Sequence, residues 1–264
     1  MAAMISTIQL MNEIFNLIDR DGSARFSDEK VIKAINTAID RIVEDRLGNI
    51  KIKKNYSFES IQVVRDQLYT LIPPTLNIVP AGNIVAYPAD YNYLLKLSCT
   101  IDGETNVARP TSYNAQGLMY ENPHSKPTNV KPYFDQNLSG FTIFREEDNS
   151  GSFTQAQLDY VKNPDVVSIG NESNKISFGA GVLVAGTTYI VYEQSVHNGI
   201  TYVEGDTFVA ANTNLTSGIV IPNSIIVNSN LSIKLQYEVI SMAASIMQKS
   251  ISQFNEGVLL EKDA

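Results

Sequence analysis

A chain of 264 residues with 44% hydrophobic and 18% charged residues can bury a full core, which excludes wholesale disorder. Twenty basic against 28 acidic residues leave a net charge of −8, so there is no basic face for tight, sequence-independent DNA binding. Cys99 is the only cysteine, which excludes an internal disulfide and a cysteine-based metal cluster; it reads as a small buried hydrophobe on a strand. The opening MAAMISTIQLMNEIF has no basic start and carries Glu13 among its apolar residues, which argues against a signal peptide. No apolar run approaches the ~20 residues needed to cross a bilayer, so the expected place of synthesis and use is a reducing cytoplasm.

Three helical patterns come first. Ile5, Ile8, Met11, Phe15 and Ile18 recur at helical spacing and end at Asp19–Gly22. The second pattern has Ser27 as N-cap, Asp28 and Glu29 in the first turn, and Phe26 placed to staple onto Val31. Its apolar stripe is Ile32, Ile35, Ile39, Ile42 and Val43, with Gly48 as the expected C-terminal cap. The third, capped by Ser57, runs through Ile61, Val64, Leu68 and Leu71 and stops at Pro73-Pro74.

From Leu76 to Asp165 short alternating runs broken by Pro, Gly and Asn predict antiparallel strands and loops. Pro80, Pro88, Pro110, Pro123, Pro127 and Pro132 make 88–134 extended and stiff, and the stretch is aromatic yet poor in reactive side chains. Residues 145–153 predict an exposed polar loop. A compact all-β passage follows between about Lys175 and Ile221, with Asn198-Gly199 as a type I′ hairpin signal and Glu204-Gly205-Asp206 as the next turn. Leu235, Val239, Met242, Ile246 and Phe254 then mark a closing helix, so helices from both ends of the chain must pack together.

The search for chemistry returns little. DRDGSARFSDEK resembles a calcium loop, but counting from Asp19 the obligatory glycine falls on Ala24 and the closing acid on Lys30. Gly179, Gly181 and Gly186 miss the dinucleotide spacing and precede strand residues where a helix should start. His124 and His197 sit in different regions beside turns, and Glu146, Glu147 and Asp148 read as a solvated acidic loop. The Asn-x-Ser/Thr triplets at Asn55, Asn137, Asn171, Asn214 and Asn230 carry no meaning without secretion. Tyr189, Tyr192, Tyr202 and Phe208 could stack on a glycan or form the core and edge of a small sandwich.

The expected fold is α+β: a helical bundle from the N-terminal helices and a long C-terminal helix, a strand-rich antiparallel middle, and an inserted small β module. The expected boundaries are 1–72 with 224–264 for the helical domain, 73–174 for the strand-rich domain, and 175–223 for the module. Asn122, Pro123, Lys126, Pro127, Lys131, Pro132, Tyr133 and Phe134 are candidate subunit or partner contacts, because stiff proline-bracketed aromatics lose little freedom on docking. Tyr133 and Phe134 are equally readable as core. Tyr192, His197 and Tyr202 are candidate contacts of the module.

An amphipathic helix pair followed by PADYNYLLKL, RPTSYNAQG, NPHSKPTNVKPYF, LDYVKNPDVVSIG and a long closing helix resembles the ring-forming head-to-tail adaptor proteins of short-tailed phages, in particular the ring proteins of crAss-like phages. The resemblance covers about residues 5–170 and 224–256, and TTYIVYEQSVHNGITYVEGDTFVA resembles a small β module inserted in structural proteins of the same phages. It implies a virion protein at the head-tail junction, a usually dodecameric ring stacked below the portal. Such a ring contacts portal or other tail rings and lines the channel for DNA without sequence-specific binding, with no membrane, cofactor, metal or catalytic residues. An acidic wall suits such a channel, because a basic one would hold the passing phosphates. The module is expected to point outward, toward a neighbouring ring or a tail fibre. The rival expectation is a carbohydrate-binding or receptor-attachment module of a virion; an enzyme is not expected.

Overall fold

The computed structural model describes residues 6–18, 26–53, 58–111, 120–121, 126–146, 151–169, 175–177, 183–203, 205–213, 215–223 and 226–262. The protein is α+β, with four α-helices among the described residues: α1 (Thr7–Ile18), α2 (Asp28–Lys53), α3 (Phe58–Gln67) and α4 (Ile233–Lys262). The chain divides into two compact units, one of residues Met1–Lys54 with Pro164–Ala264 and one of residues Asn55–Asn163. The expected lines at 72/73 and 174/175 thus differ from the packing: α3 falls in the unit of the strands that follow it, and the β passage falls in the unit of the other helices.

The second unit is built on two four-stranded sheets. In the first, β1 (Leu76–Ile78), β8 (Phe153–Lys162), β3 (Tyr91–Ile101) and β4 (Glu104–Val107) lie side by side, all antiparallel. In the second the order is β2 (Ile84–Ala86), β7 (Gly140–Phe144), β6 (Tyr133–Asn137) and β5 (Arg109–Pro110). Here β5 and β6 run parallel, the one departure from the expected antiparallel pairing among the described residues. Alternation along β8 sends Ala156, Leu158 and Tyr160 inward and Gln155, Gln157 and Asp159 outward. Those residues meet Leu97, Cys99 and Ile101 of β3 and Val85, Phe134, Phe141 and Ile143 of the other sheet in one core.

Tyr91 of the run PADYNYLLKL joins the aromatic rings of that core. Tyr87 stacks on Tyr91 at 4.7 Å, and Phe141 meets Tyr87, Tyr91 and Phe134 edge to face. The phenols find partners, as buried hydroxyls must: Tyr160 donates to Asp90 Oδ1 at 2.8 Å and Tyr87 to the Asn137 carbonyl at 2.8 Å. Outside the core, α3 brings Arg65 to Asp159 at 3.0 Å, and the Thr75 hydroxyl donates to the same carboxylate at 2.7 Å. The expected exposed loop at 145–153 needs correction at its start. Arg145 is 8% exposed, donating from Nε to Asn83 Oδ1 and from Nη1 to the Gly151 carbonyl. Its long stem lets it lie along the sandwich while hydrogen bonds satisfy its head.

In the first unit α1, α2 and α4 pack on one another through Ile8, Leu10, Met11 and Ile14, through Val31, Ile35, Ile39, Ile42 and Leu47, and through Leu235, Val239, Ala243 and Met247. Helix α2 passes straight through Gly48, so that residue is not the cap. A glycine inside a helix costs only about 1 kcal/mol against alanine, too little to end an otherwise continuous run. The stripe read along α4 also shifts: Leu235 and Val239 are buried, but Met242 and Ile246 are half-buried while Ile240, Ala243, Ala244 and Met247 complete the core. The Phe254 side chain, Asp19–Gly22 and Ser57 lie outside the described residues.

The same unit carries a five-stranded sheet of β9 (Ile176–Ser177), β10 (Thr188–His197), β11 (Ile200–Tyr202), β12 (Thr207–Val209) and β13 (Ser217–Pro222). Asn198 and Gly199 have φ of 52° and 75°, the two left-handed residues a type I′ turn requires, and His197 pairs with Ile200 across it. Strands β11 and β12 share one edge of β10, and β13 and then β9 lie on the other. Two polar ties hold the helices to the connecting chain. The Asn36 amide on α2 donates to the Val167 carbonyl at 3.0 Å and accepts from its N–H at 2.8 Å, and Thr7 N–H reaches Asn228 Oδ1 at 2.9 Å.

Candidate functional site

The expected contact passage at 122–134 divides once its burial is read. Asn122, Pro123 and the nearby His124 lie outside the described residues. Pro127 and Pro132 are buried, Lys126 and Tyr133 are half-buried, and Lys131 is exposed in a turn closed by its N–H on the Thr128 carbonyl at 3.0 Å. Phe134 is 7% exposed and sits at 5.6 Å from Phe141, so it is a core residue of the sandwich. Of the described residues in this passage, Lys131 and its neighbour Val130 project most clearly to solvent.

The next hairpin presents a feature the sequence reading missed. Leu138, at the β6–β7 turn, is fully exposed. Turns of this kind favour Asn, Asp and Gly, and a leucine there gains nothing from the isolated fold. Its setting is rigid: Asn137 Oδ1 accepts from Ser139 N–H at 2.9 Å and from its hydroxyl at 2.8 Å, and Asn137 Nδ2 donates to Thr142 Oγ1. Gly140 follows with φ of 148°, where a Cβ would stand 2.2 Å from the Val85 carbonyl oxygen, so only glycine lets β2 and β7 close up. The signal in the sequence was a large apolar residue inside Asn-Leu-Ser-Gly.

The three candidates of the β module are engaged within their own unit. Tyr192 donates to Asp28 Oδ2 at 2.6 Å, Lys175 Nζ reaches the same oxygen at 2.5 Å, and that ammonium lies 3.9 Å from the Tyr192 ring centroid. Burial, then the bond to the Asp28 carboxylate, push the Tyr192 phenol up to about 12. His197 is 2% exposed, accepts from Ala211 N–H at Nε2, and lies on Phe208 at 4.9 Å. Tyr202 covers the same ring at 4.8 Å.

Cys99 is buried on β3, and that burial pushes its thiol up to about 12, which leaves almost no thiolate at neutral pH. Among the described residues no three His, Cys, Asp or Glu side chains come together as a metal-binding group. No helix among them is long and apolar enough to cross a membrane. No known family model matches the chain, and no match to it is found among characterised proteins.

Proposed function

We propose that this chain is a structural protein of a short-tailed phage virion, a ring-forming adaptor between portal and tail whose channel DNA crosses without sequence-specific contacts. The observation that carries the structural reading is Leu138: a fully exposed leucine on a turn braced by Asn137 and Gly140. Apolar side chains on rigid projections are interface anchors, since little conformational freedom remains to be lost on docking. Val130 at 66% and Val79 at 84% exposure add apolar surface in the same unit. The net charge of −8 suits a passage for nucleic acid. The phage setting rests on the resemblance of the aromatic, Pro and Asn patterns alone.

In this reading the protein is not an enzyme and needs no cofactor. The rival, glycan binding by the module, has less support, because His197, Tyr192 and Tyr202 spend their ring faces or polar atoms on Phe208, Lys175 and Asp28. The test mixes the protein with isolated portal-bearing phage heads and images the vertices by negative stain. Added ring density at the portal vertex is expected, lost or strongly reduced with Leu138→Asp. No binding to any portal-bearing head, with selective glycan-array binding that disappears in Tyr202→Ala, would reverse the choice.

A further inference from the structure

The exposed face of the α2–α4 pair carries opposite charge at its two ends. Arg46 of α2 bonds Glu238 of α4 at 2.5 Å, which sets Glu44 and Asp45 level with the start of that face. Lys249 lies eleven residues beyond Glu238 on α4, about 17 Å further at about 1.5 Å per residue. A shallow groove of about 800 Å³ joins the two ends. It runs from Tyr237 to Lys249 and takes in Arg41, which therefore lies on the Lys249 side of Asp45. Arg41, Glu44, Asp45 and Lys249 are all exposed.

Between the ends the groove is lined by apolar and small side chains. Met242 and Ile246 are half-buried along it, and Ser241 and Ser245 are exposed one turn apart. The midpoint between Glu238 and Lys249 falls between those serines, whose small side chains let a second helix come close. Among its described residues the face is balanced, with Arg41 and Lys249 against Glu44 and Asp45, beside the Arg46–Glu238 pair. Two copies of a chain whose net charge is −8 repel one another, and a balanced face is where that repulsion is weakest.

We propose that this face pairs with the same face of a second copy, about a twofold axis that passes between Ser241 and Ser245. Turned end over end, each copy lays its Lys249 on Glu44 and Asp45 of the other, and Met242 and Ile246 of the two α4 helices cover each other. Arg41, near the axis, reaches Glu44 of the second copy. An ammonium has three donors and a carboxylate accepts several bonds, so contacts within each chain do not use these groups up. A partner of one sign loses at one end what it gains at the other, whereas the reversed face matches both. From Tyr237 to Lys249 the face is about 20 Å long and two helices, about 20 Å, wide, so each copy covers about 400 Å². That is half of the roughly 800 Å² of a stable interface, so the pair is a transient one. A twofold contact closes at two copies and is separate from any contact that closes a ring, so the inference does not depend on the adaptor reading.

The test is sedimentation equilibrium on the full chain from micromolar to millimolar concentration. The smallest associated species is expected to be two copies, and added salt is expected to weaken it. Lys249→Glu and Asp45→Lys, both at exposed sites and with unchanged thermal melts, should each self-associate at least tenfold more weakly, because every pair then carries the clash twice. An equal mixture of the two variants should recover the unaltered chain's affinity within about threefold, since each reversed charge meets its opposite in the other variant. No association up to millimolar chain, a smallest species larger than two, indifference to both variants, or a mixture no tighter than its components overturns the proposal.

Discussion

The sandwich of the second unit and the five-stranded sheet of the first both bury aromatic rings, but they do so differently. In the sandwich two sheets cover each other, and Phe141 is closed in by three rings set at 79–90° to it. In the β module a single sheet gathers Tyr189, His197 and Tyr202 nearly face-on around Phe208 at 26–29°, with Leu183, Ala210 and Leu215 beside them. Among the described residues, this core is made by residues in or beside the two sheets. The module is also fastened to α2, through Asp28, Lys175 and Tyr192. Two layers make a self-contained core, whereas one layer draws support from a neighbour.

That contrast can be broken experimentally, beginning with the largest effect. Phe141→Ala should cost about 3–5 kcal/mol, since a fully buried ring leaves a cavity the rigid sheets cannot collapse. Amide exchange followed by mass spectrometry should show the loss confined to 55–163; equal loosening of α1, α2 and α4 would refute the independence of the sandwich. Phe208→Ala should cost about 3 kcal/mol, the lower end for such truncations, because its ring is 6% exposed, and should loosen β10–β13.

Asp28→Ala comes next, at about 1–3 kcal/mol, because it strands the Lys175 ammonium and the Tyr192 hydroxyl, both partly buried. Loosening should extend from the α2 start into β10, and an effect limited to α2 would disprove the fastening. The same node gives an alkaline signature. The folded Tyr192 phenol is raised to about 12 from its ordinary value near 10.0, so its contribution to stability is complete below pH 10 and is lost as pH rises toward 12. Denaturant midpoints measured across that window should fall less steeply in Tyr192→Phe. Smallest of all, Leu138→Asp should change stability by less than about 0.5 kcal/mol while removing the proposed ring density at portal vertices.

How much of this was readable beforehand depends on whether the cause was local. The Asn198-Gly199 hairpin and the α2 start follow from backbone preferences of a few adjacent residues, and they appear where expected, whereas the third helix ends earlier, at Gln67, and Leu71 lies in a separate 3-10 turn, Tyr69–Leu71. Gly48 misled because its preference is weak against twenty-six residues of continuous helix. On α4 the core face runs through Ala243 and Ala244, whose small side chains give little hydrophobic signal beside Met242 and Ile246. Arg145 looked solvated because it lies next to acidic residues, and its burial depends on Asn83, which is distant in sequence. Of the candidate contacts, Phe134 and His197 went into cores for the same reason: alternation shows which residues share a face but not what lies opposite.

The tie between Asn36 and Val167 has a consequence for how the chain is made. Residues 55–163 form one uninterrupted stretch, so the sandwich can close as it leaves the ribosome. Helices α1 and α2 are synthesised before the sandwich, yet Asn36 waits for Val167, and both helices wait for α4 to pack against them. The two helices that precede the sandwich in the chain are therefore finished after it, and until α4 is released their apolar faces lack the partner that covers them.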